Sequence, residues 1–326
     1  MPNAILVVGE AADGALVPIA AEMLGAARRL AGDGGAGCAL LGSGVEGVAK
    51  EAIAFGADEV LVVDDPAPAE YNSDAYIQAI VAVVSQAAPS IVLFGQTNLG
   101  RDLAPRLAFR LNTGVVMDTV ELAMEGGRLV ATRPAYGGNA RAVNVVRSDP
   151  QIATVRAKSQ DPLERDDSRQ GTITKVPVTI DASAIRVKVT ERKPLTAEGI
   201  RLEDADTVVS GGRGLGGPEN FDVIEELAQA LGGAVGASRA VCDLGWRPVS
   251  EQVGLTGKVV SPTLYVAVAI SGASQHMAGC SGARNIVAIN KDADANIFKA
   301  ARFGIVEDFS KVLKPLIEAV KKEKAG

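Results

Sequence analysis

A glycine loop in the second half of the chain has the residue types and spacing to hold a phosphate. The apolar run Asp206–Ser210 predicts a buried strand, and GGRGLGG at 211–217 follows it directly, before a helix that we expect to start near Pro218. Glycine lets backbone N–H groups approach a phosphate, and a helix N-terminus favours negative charge. Arg213 adds a cation. The pattern predicts a dinucleotide as the ligand.

Polar residues also stand at the ends of the next four apolar runs, 234–235, 265–270, 286–289 and 304–306. The residues that follow these runs are Ser238 with Arg239, the segment Ser271–His276 with the only histidine of the chain, Asn290, and Asp308. Ligands of open parallel sheets bind where the carboxyl ends of the strands meet. One such polar end is weak evidence because loops are polar in any protein, but their recurrence in order indicates a site.

The elements that must position these residues belong to a chain of 326 residues, a length that suits two domains. The first half alternates apolar runs with amphipathic segments, which predicts a parallel sheet covered on both faces. The predicted strands lie at 4–8, 38–41, 59–63 and 91–95. A helix between the first two has an apolar stripe of Ile19, Met23, Ala26 and Leu30.

A strand-rich stretch follows, with predicted strands at 129–133, 142–146, 152–155 and 176–180 that we expect to extend the sheet as hairpins. Periodicity is lost between 181 and 206, and charge accumulates around 191–194. We therefore predict an N-terminal domain at 1–190, a linker at 191–205 and a second domain at 206–326. The second domain ends in a helix whose apolar stripe favours internal packing over a partner-facing surface. The stripe is Phe309, Val312, Leu316, Ile317 and Val320.

Composition excludes several classes of protein. A net charge of -6, a pI near 5.1 and scattered basic residues argue against nucleic-acid binding. No apolar run reaches the roughly 20 residues that span a bilayer, so we do not expect a membrane-embedded protein. The widely spaced Cys38, Cys242 and Cys280 indicate buried small hydrophobic residues and no metal site. We expect a bacterial cytoplasmic protein in preference to one of the mitochondrial matrix.

At this point the motifs resemble those of one family, the alpha (large) subunit of electron transfer flavoprotein, also called the FixB type. The resemblance rests on VVSGGRGL at 208–215, GASRAVCDLGW at 236–246, QVGLTGK at 252–258, SGASQHMAG at 271–279, VAINKD at 287–292 and GIVED at 304–308. In the first half, GRDLAPR at 100–106 is also similar to the family, so the resemblance covers nearly the whole chain.

The resemblance implies an α/β protein of two Rossmann-like domains with mostly parallel sheets, the second of which binds FAD. It also implies a heterodimer with a smaller beta subunit that passes electrons singly, an electron carrier and not an enzyme that transforms a substrate. The FAD contacts of the family fall on Arg213, Ser238, Arg239, Val253, Gly254, Leu255, Thr256, Ser271, Gly272, Ala273, Ser274, Gln275, His276, Asn290 and Asp308.

Three of these positions match residues that tune the flavin in the family. Thr256 matches a threonine near flavin N5, where protonation changes between oxidation states. Arg239 matches an arginine over the ring, and a cation there favours the anionic semiquinone and hydroquinone. His276 matches a donor near the flavin C2 carbonyl, where a donor or imidazolium stabilises the one-electron state. Asn290 and Asp308 match contacts to the adenosine half.

Other interpretations of the same residues stay open. Arg213 and Arg239 could pair with nearby acids such as Asp206 or Asp243, since surface ion pairs are common. Asp308 could be only the N-cap of the terminal helix. The lone histidine could be an ordinary core or surface residue.

One residue departs from the family pattern. Leu255 stands where the family has glutamine in QVGQTGK, so one side-chain hydrogen bond is lost. Backbone N–H groups of that turn would still face the flavin, so we expect binding to persist with a different potential.

Three functions remain compatible with the sequence. The favoured one is a carrier that accepts electrons from acyl-CoA or related dehydrogenases and delivers them to a membrane quinone reductase. The second is a bifurcating flavoprotein, in which a second FAD in the beta subunit takes hydride from NADH and serves ferredoxin. The third is an NAD-dependent dehydrogenase, which the glycine loop alone permits, although no catalytic acid and base are evident.

Overall fold

The structure, a computed structural model, describes residues 5–32, 34–138, 140–191 and 200–325. Its contacts divide the chain into two units, which we call unit 1 and unit 2. Unit 1 comprises Met1–Ala135 with Arg141–Lys193, and unit 2 comprises Tyr136–Ala140 with Pro194–Gly326. Most of the linker predicted at 191–205 lies outside the described residues.

Unit 1 is built on a seven-stranded parallel sheet. The strands of the whole unit, in chain order, are β1 (Ile5–Gly9), β2 (Ala11–Ala12), β3 (Ala15–Leu16), β4 (Ala36–Gly42), β5 (Glu59–Asp64), β6 (Ile91–Gly95), β7 (Val115–Thr119), β8 (Glu121–Glu125), β9 (Arg128–Ala135), β10 (Ala140–Val145), β11 (Gln151–Val155) and β12 (Thr172–Lys175). The large sheet has the order β12-β5-β4-β1-β6-β11-β7, and every pair in it is parallel.

Helices cover both faces of this sheet, as the alternating pattern predicts. They are α1 (Pro18–Ala31), α2 (Ala49–Ala54), α3 (Ser73–Ala87) and α4 (Asn98–Arg110). The central strands β1, β4, β6 and β11 are buried along their whole length. The first three are apolar throughout, as expected for parallel strands covered on both faces, and β11 carries the buried polar residues Gln151 and Thr154. The α1 stripe is confirmed, because Ile19, Met23 and Ala26 are buried and Leu30 packs against the same core.

The strand-rich stretch was predicted only in part. The strands β8, β9 and β10 form a separate three-stranded sheet and do not extend the main one. Gly126 and Gly127 both have positive φ, 56° and 77°, and close a tight hairpin that pairs β8 with β9. By contrast, β11 enters the main sheet as a parallel strand between β6 and β7.

The strand predicted at 176–180 is wrong, because the last strand of unit 1 is β12, at Thr172–Lys175. The final sheet bond runs from the N–H of Val176 to the carbonyl of Val62, at 2.9 Å. Pro177 comes next and has no N–H to donate, so the ladder stops there.

Unit 2 contains a five-stranded sheet whose strands are all parallel. These are β13 (Thr207–Gly211), β14 (Ala234–Ala237), β15 (Leu264–Val268), β16 (Asn285–Asn290) and β17 (Phe303–Val306), in the order β14-β13-β15-β16-β17. The helices are α5 (Asp222–Leu231), α6 (Arg239–Asp243), α7 (Ser274–Cys280) and α8 (Phe309–Ala325). This order is one of the two common doubly wound arrangements. The predicted fold class, α/β with mostly parallel sheets, is confirmed.

The apolar stripe of α8 packs internally. Ile317 is buried in the core of unit 2, and Phe309, Val312 and Leu316 are partly buried against the same cluster. Leu313, which the stripe prediction omitted, is fully buried.

The cysteines are free and buried, as predicted. Among the described residues, no helix is both long and apolar enough to cross a membrane, and no group of three or more metal-ligating side chains comes together.

Candidate functional site

Five strand ends of unit 2 meet along one edge. Because the five strands are parallel and in register, their carboxyl ends form a single row. Along the row from β14 to β17 come Ser238, Gly212, Ile270, Asn290 and Asp308. The sheet therefore brings together residues that are up to 96 positions apart in the chain.

The topological switch point of this row, where doubly wound sheets have their ligand crevice, lies between β13 and β15, since the chain leaves toward β14 on one side and toward β16 on the other. The backbone is tight here, since the N–H of Gly212 donates to the carbonyl of Val268 at 2.9 Å. A Cβ atom on Gly212 would lie 2.1 Å from the carbonyl oxygen of Ala269, so only glycine fits.

The predicted helix start near Pro218 is confirmed, although the first turn of the helix is of the 3-10 type. The chain forms 3-10 turns at Arg213–Leu215 and Pro218–Phe221, and α5 begins at Asp222. Gly216 has φ of 89°, which ends the first turn and separates it from the second. A phosphate here would be held by loop N–H groups and by Arg213.

The two arginines of the row differ in their surroundings. Arg213 is exposed and has no ion-pair partner within the described part of the chain. Arg239 pairs with Asp243 at 3.3 Å, with 67% of its side chain exposed. Such an exposed i,i+4 pair contributes a few tenths of a kcal/mol, so the guanidinium is easily released to a ligand.

Ser238 and Asp308 both precede helices but act differently. Asp308 caps α8, because its Oδ1 accepts hydrogen bonds from the N–H of Ser310 at 2.9 Å and from its hydroxyl at 2.7 Å. These bonds lower the pKa of the Asp308 carboxyl. Ser238 occupies the N-cap position of α6, yet its hydroxyl makes no capping bond. The capping interpretation of Asp308 is therefore correct, and the Ser238 hydroxyl is left for another acceptor.

A second group of predicted residues lies in the loop 252–258, which is fastened to α7. The N–H of Leu255 donates to the carbonyl of Gln275 at 2.7 Å, and the N–H of Val253 donates to that of Ala237 at 2.9 Å. A Cβ on Gly279 would lie 2.3 Å from the nitrogen of Gly254. The segments 253–256 and 271–276 are therefore adjacent and held in a fixed relation.

The exposed atoms of this loop pair are those a ligand would meet. Leu255 is 64% exposed, and Thr256 is also exposed. The hydroxyl of Thr256 accepts from Nε2 of Gln252 at 3.1 Å, which leaves its own proton free to donate. Ser271, Ala273, Ser274 and Gln275 are exposed on the facing segment.

Gly272 anchors that facing segment. It is buried with φ of 79°, and a Cβ there would lie 2.2 Å from the nitrogen of Ile297. The carbonyl of Ser271 accepts from this same N–H at 3.1 Å. This close packing of Gly272 against Ile297 fixes the position of the segment 271–276.

His276 is the buried member of the set, with 7% of its surface exposed. Its Nε2 lies 2.9 Å from the hydroxyl of Tyr265, while Nδ1 is buried and makes no hydrogen bond of standard geometry with the described residues. Burial lowers the pKa of His276 to about 4, and the Val253 backbone opposes this effect in part. The imidazole is therefore neutral at neutral pH, which favours a neutral donor over an imidazolium.

Asn290 braces two strand ends. Its Nδ2 donates to the carbonyl of Ile270 at 2.9 Å, and its Oδ1 accepts from the N–H of Asp292 at 3.0 Å. One N–H and one lone pair of the amide remain for a ligand.

Comparisons with known proteins agree with this geometry. The electron transfer flavoprotein domain family matches residues 5–181, and the electron transfer flavoprotein FAD-binding domain family matches residues 201–281. The chain is 47% identical to the electron transfer flavoprotein subunit alpha of Thermoanaerobacterium thermosaccharolyticum, over 98% of both chains. It is 43% identical to the subunit alpha of Bacillus subtilis, over 98% of both chains, and 42% identical to protein FixB of Clostridium saccharobutylicum, over 97% and 96%.

The chain belongs to the electron transfer flavoprotein alpha subunit family. Unit 2 carries its FAD-binding domain, so the predicted cofactor is confirmed as FAD. The residues fit such a cofactor. The edge offers glycines too crowded for side chains. Among the described residues, the hydroxyl of Ser238 makes no capping bond, the guanidinium of Arg213 has no ion pair, and Nδ1 of His276 makes no hydrogen bond of standard geometry.

Two residues of this family site were missed by the sequence reasoning. Tyr265 is fully buried and bonds to His276, and Gln252 bonds to Thr256. The sequence contains one feature that indicates a role for Tyr265. Tyr265 is the only hydroxyl-bearing residue in an otherwise aliphatic strand, and a buried tyrosine hydroxyl needs a polar partner.

Proposed function

We propose that this chain is the FAD-holding subunit of a heterodimer with a smaller beta subunit, and that it relays single electrons from acyl-CoA-type dehydrogenases to a quinone reductase. The observation that carries the proposal is the open row of strand ends in unit 2, with the exposed loop 253–256 fastened against 271–276. Bound FAD supplies the redox chemistry, because it accepts and passes on electrons one at a time.

The residues of the row divide into two tasks. Arg213 and the loop N–H groups beside it grip the phosphates, and Ser238, Asn290 and Asp308 extend the polar lining for the rest of the dinucleotide. Gly254 and Gly272 hold the two loops close to their neighbours, which gives the ring a rigid seat.

Three side chains tune the flavin. Arg239 places a positive charge near the ring and stabilises added negative charge. Thr256 keeps a hydroxyl proton available for a ring nitrogen, since Gln252 donates to its oxygen. His276 presents a neutral imidazole whose charge does not change around neutral pH. These roles favour a carrier, since no pair of side chains among the described residues of the row is arranged for proton transfer to a substrate.

The test is to prepare the chain with its native beta subunit, count FAD per heterodimer and follow the flavin absorbance on adding an acyl-CoA dehydrogenase with substrate, or NADH. A carrier contains FAD in this chain and is bleached by the dehydrogenase alone. Rapid bleaching by NADH with two FAD per heterodimer would replace the carrier with the bifurcating function. No FAD at all would overturn both.

Two arginine variants sharpen this assignment. Arg213→Ala should weaken FAD affinity roughly tenfold, the equivalent of one charge-assisted hydrogen bond, and should therefore release FAD on gel filtration. Arg239→Ala should retain FAD but lower its potential. Lys322→Ala removes an exposed cation from the last turn of α8 and serves as the charge control. Equal effects of the two arginine variants would contradict the division of roles.

A further inference from the structure

A buried polar pair lies behind the exposed loops of the FAD site. The hydroxyl of Tyr265, on β15, is 2.9 Å from Nε2 of His276, on α7. Tyr265 is fully buried, and the two rings are 6.0 Å apart at an angle of 54°. Because His276 belongs to the segment at the cofactor edge, the pair connects that edge to the core of unit 2.

The surroundings decide which group donates the proton. Burial raises the pKa of the Tyr265 hydroxyl well above its ordinary value, and Ser210, buried beside it, opposes this effect in part, although no hydrogen bond of standard geometry joins the two groups. Cys280 uses its thiol on the carbonyl of His276, at 3.6 Å, and sulfur is a weak acceptor. The imidazole nitrogen, at 2.9 Å, is thus the strongest acceptor that the Tyr265 proton can reach.

We propose that Tyr265 is a positioning residue that donates its hydroxyl proton to Nε2 of His276 and thereby fixes the ring as the neutral tautomer protonated at Nδ1. Without such an anchor a neutral imidazole can adopt either tautomer, so the same ring nitrogen can be a donor or an acceptor. Proteins commonly set the tautomer of a functional histidine through a hydrogen bond from a buried group that does not itself touch the ligand.

The other side of the ring agrees with this tautomer. The Val253 backbone stabilises a ring N–H, because it raises the pKa of His276 against the larger, lowering effect of burial. Val253 belongs to the loop that carries Thr256, so the same loop constrains the ring and lines the cofactor edge. The consequence for the cofactor rests on the proposed function, whereas the tautomer itself does not.

The chain contains a single histidine, which makes the test direct. The chain is labelled with 15N-histidine, purified through a histidine-free tag and paired with unlabelled beta subunit. A long-range 1H–15N spectrum then reports His276 alone. We expect one tautomer, with the proton on Nδ1, from about pH 6 to 8. A proton on Nε2, or an averaged pair of nitrogen signals, would overturn the proposal.

Tyr265→Phe removes the anchor and keeps the ring. The variant should show exchange between tautomers, and a spectrum identical to that of the wild type would count against the proposal. Tyr76→Phe is the matched control, since Tyr76 is also buried and donates its hydroxyl to a backbone carbonyl of unit 1 at 3.2 Å. It should leave the histidine spectrum unchanged. If Tyr265→Phe fails to fold, the wild-type spectrum still decides between the tautomers.

The cofactor readouts separate this proposal from the function. In Tyr265→Phe, FAD affinity should fall roughly two- to tenfold, the most that one misplaced hydrogen bond gives, and the flavin potential should shift. A wild type that shows the expected tautomer but binds no FAD would refute the function and leave the tautomer assignment standing. A variant with unchanged tautomer and potential would refute the assignment and leave the function standing.

Discussion

The two units differ in how far the polar groups at the ends of their parallel strands satisfy each other. In unit 1, polar groups at the strand ends bond to each other. Thr97 donates to Glu10 at 2.6 Å, and Arg156 donates twice to Asp118, at 2.9 and 2.6 Å. In unit 2, the side chains of Arg213, Ser238 and Ser271 make no hydrogen bond within the described residues.

This difference teaches that polar residues at strand ends are not by themselves a ligand site. Buried or half-buried polar groups that satisfy each other stabilise the fold and have nothing left to offer. Groups left without partners beside a crowded backbone are available to a ligand. Glycine crowding does not distinguish the units, because a Cβ on Gly100 of unit 1 would lie 1.8 Å from the carbonyl oxygen of Gly95.

Gly212→Ala should have the largest effect in unit 2. The added methyl group would lie 2.1 Å from the carbonyl oxygen of Ala269, so strand ends must move apart. We expect a loss of about 3 kcal/mol, or roughly 10 °C in melting temperature, together with loss of FAD. Trp246 is the only tryptophan and lies in unit 2, so its fluorescence in the FAD-free chain follows that unit alone.

The control for this variant is Gly47→Ala in unit 1, where no atom would lie within 4 Å of the new Cβ and φ is not positive. It should leave both the melting temperature and FAD unchanged. Retention of FAD at the wild-type level in Gly212→Ala would show that the crevice is not the cofactor seat.

Acid should destabilise unit 2 through His276. The pKa of the folded state is about 4, below the ordinary 6.5, so the unfolded chain binds more protons between these values. Stability is therefore fully present above pH 6.5 and falls as the pH drops toward 4, by about 3 kcal/mol in total. His276→Gln should remove this slope in Trp246-monitored unfolding, and an unchanged slope would assign it to other groups.

Glu22 should give unit 1 the opposite dependence. It lies on α1, accepts a hydrogen bond from the N–H of Lys158 at 2.7 Å, and burial raises its pKa from 4.5 to about 7. Since the folded state holds the proton more tightly, stability is greatest below pH 4.5 and is lost as the pH rises through 7. The urea midpoint for unfolding of unit 1 should fall over this range, and Glu22→Gln should abolish the change. A midpoint that rises with pH in the wild type would contradict this.

Cutting the polar pair in unit 1 should affect stability alone. Asp118→Asn removes one charge of the pair with Arg156, and asparagine tolerates the φ of 63° found at this position. We expect a loss of about 2 kcal/mol in urea unfolding of unit 1, less than for a fully buried pair, because both side chains are partly solvated. FAD content should not change. A loss of FAD would mean that unit 1 also supports the cofactor.

The sequence predicted the row of strand ends well because each strand of unit 2 is a short apolar run, and the observed bounds differ from the predicted ones by one or two residues. It failed where a single residue interrupts a pattern. Pro177 ended the last strand of unit 1, and Gly216 ended an additional 3-10 turn inside the glycine loop that the pattern had not indicated. These effects depend on one hydrogen bond or one dihedral angle, which a periodic pattern does not report.

The side-chain hydrogen bonds of the site could not be predicted from the sequence for another reason. Tyr265 and His276 are on different elements, and their contact exists only because α7 packs over the face of the sheet that Tyr265 occupies. Likewise, the structure is needed to show that the Asp308 carboxylate accepts the capping hydrogen bond of α8. It also shows that the Ser238 hydroxyl makes no hydrogen bond to the described residues.

Ser238→Ala should give the smallest effect and the sharpest contrast with Asp118→Asn. Its hydroxyl bonds to nothing in the described chain, so unfolding monitored by Trp246 should change by no more than about 0.5 kcal/mol. If the hydroxyl serves FAD, the affinity should fall by up to roughly tenfold. Ser310→Ala, which removes a hydroxyl bonded to Asp308, should instead cost stability with little change in FAD affinity. If Ser238→Ala loses stability without a change in FAD affinity, the Ser238 hydroxyl has a structural role, like the bonded polar groups at the strand ends of unit 1, and does not contact FAD.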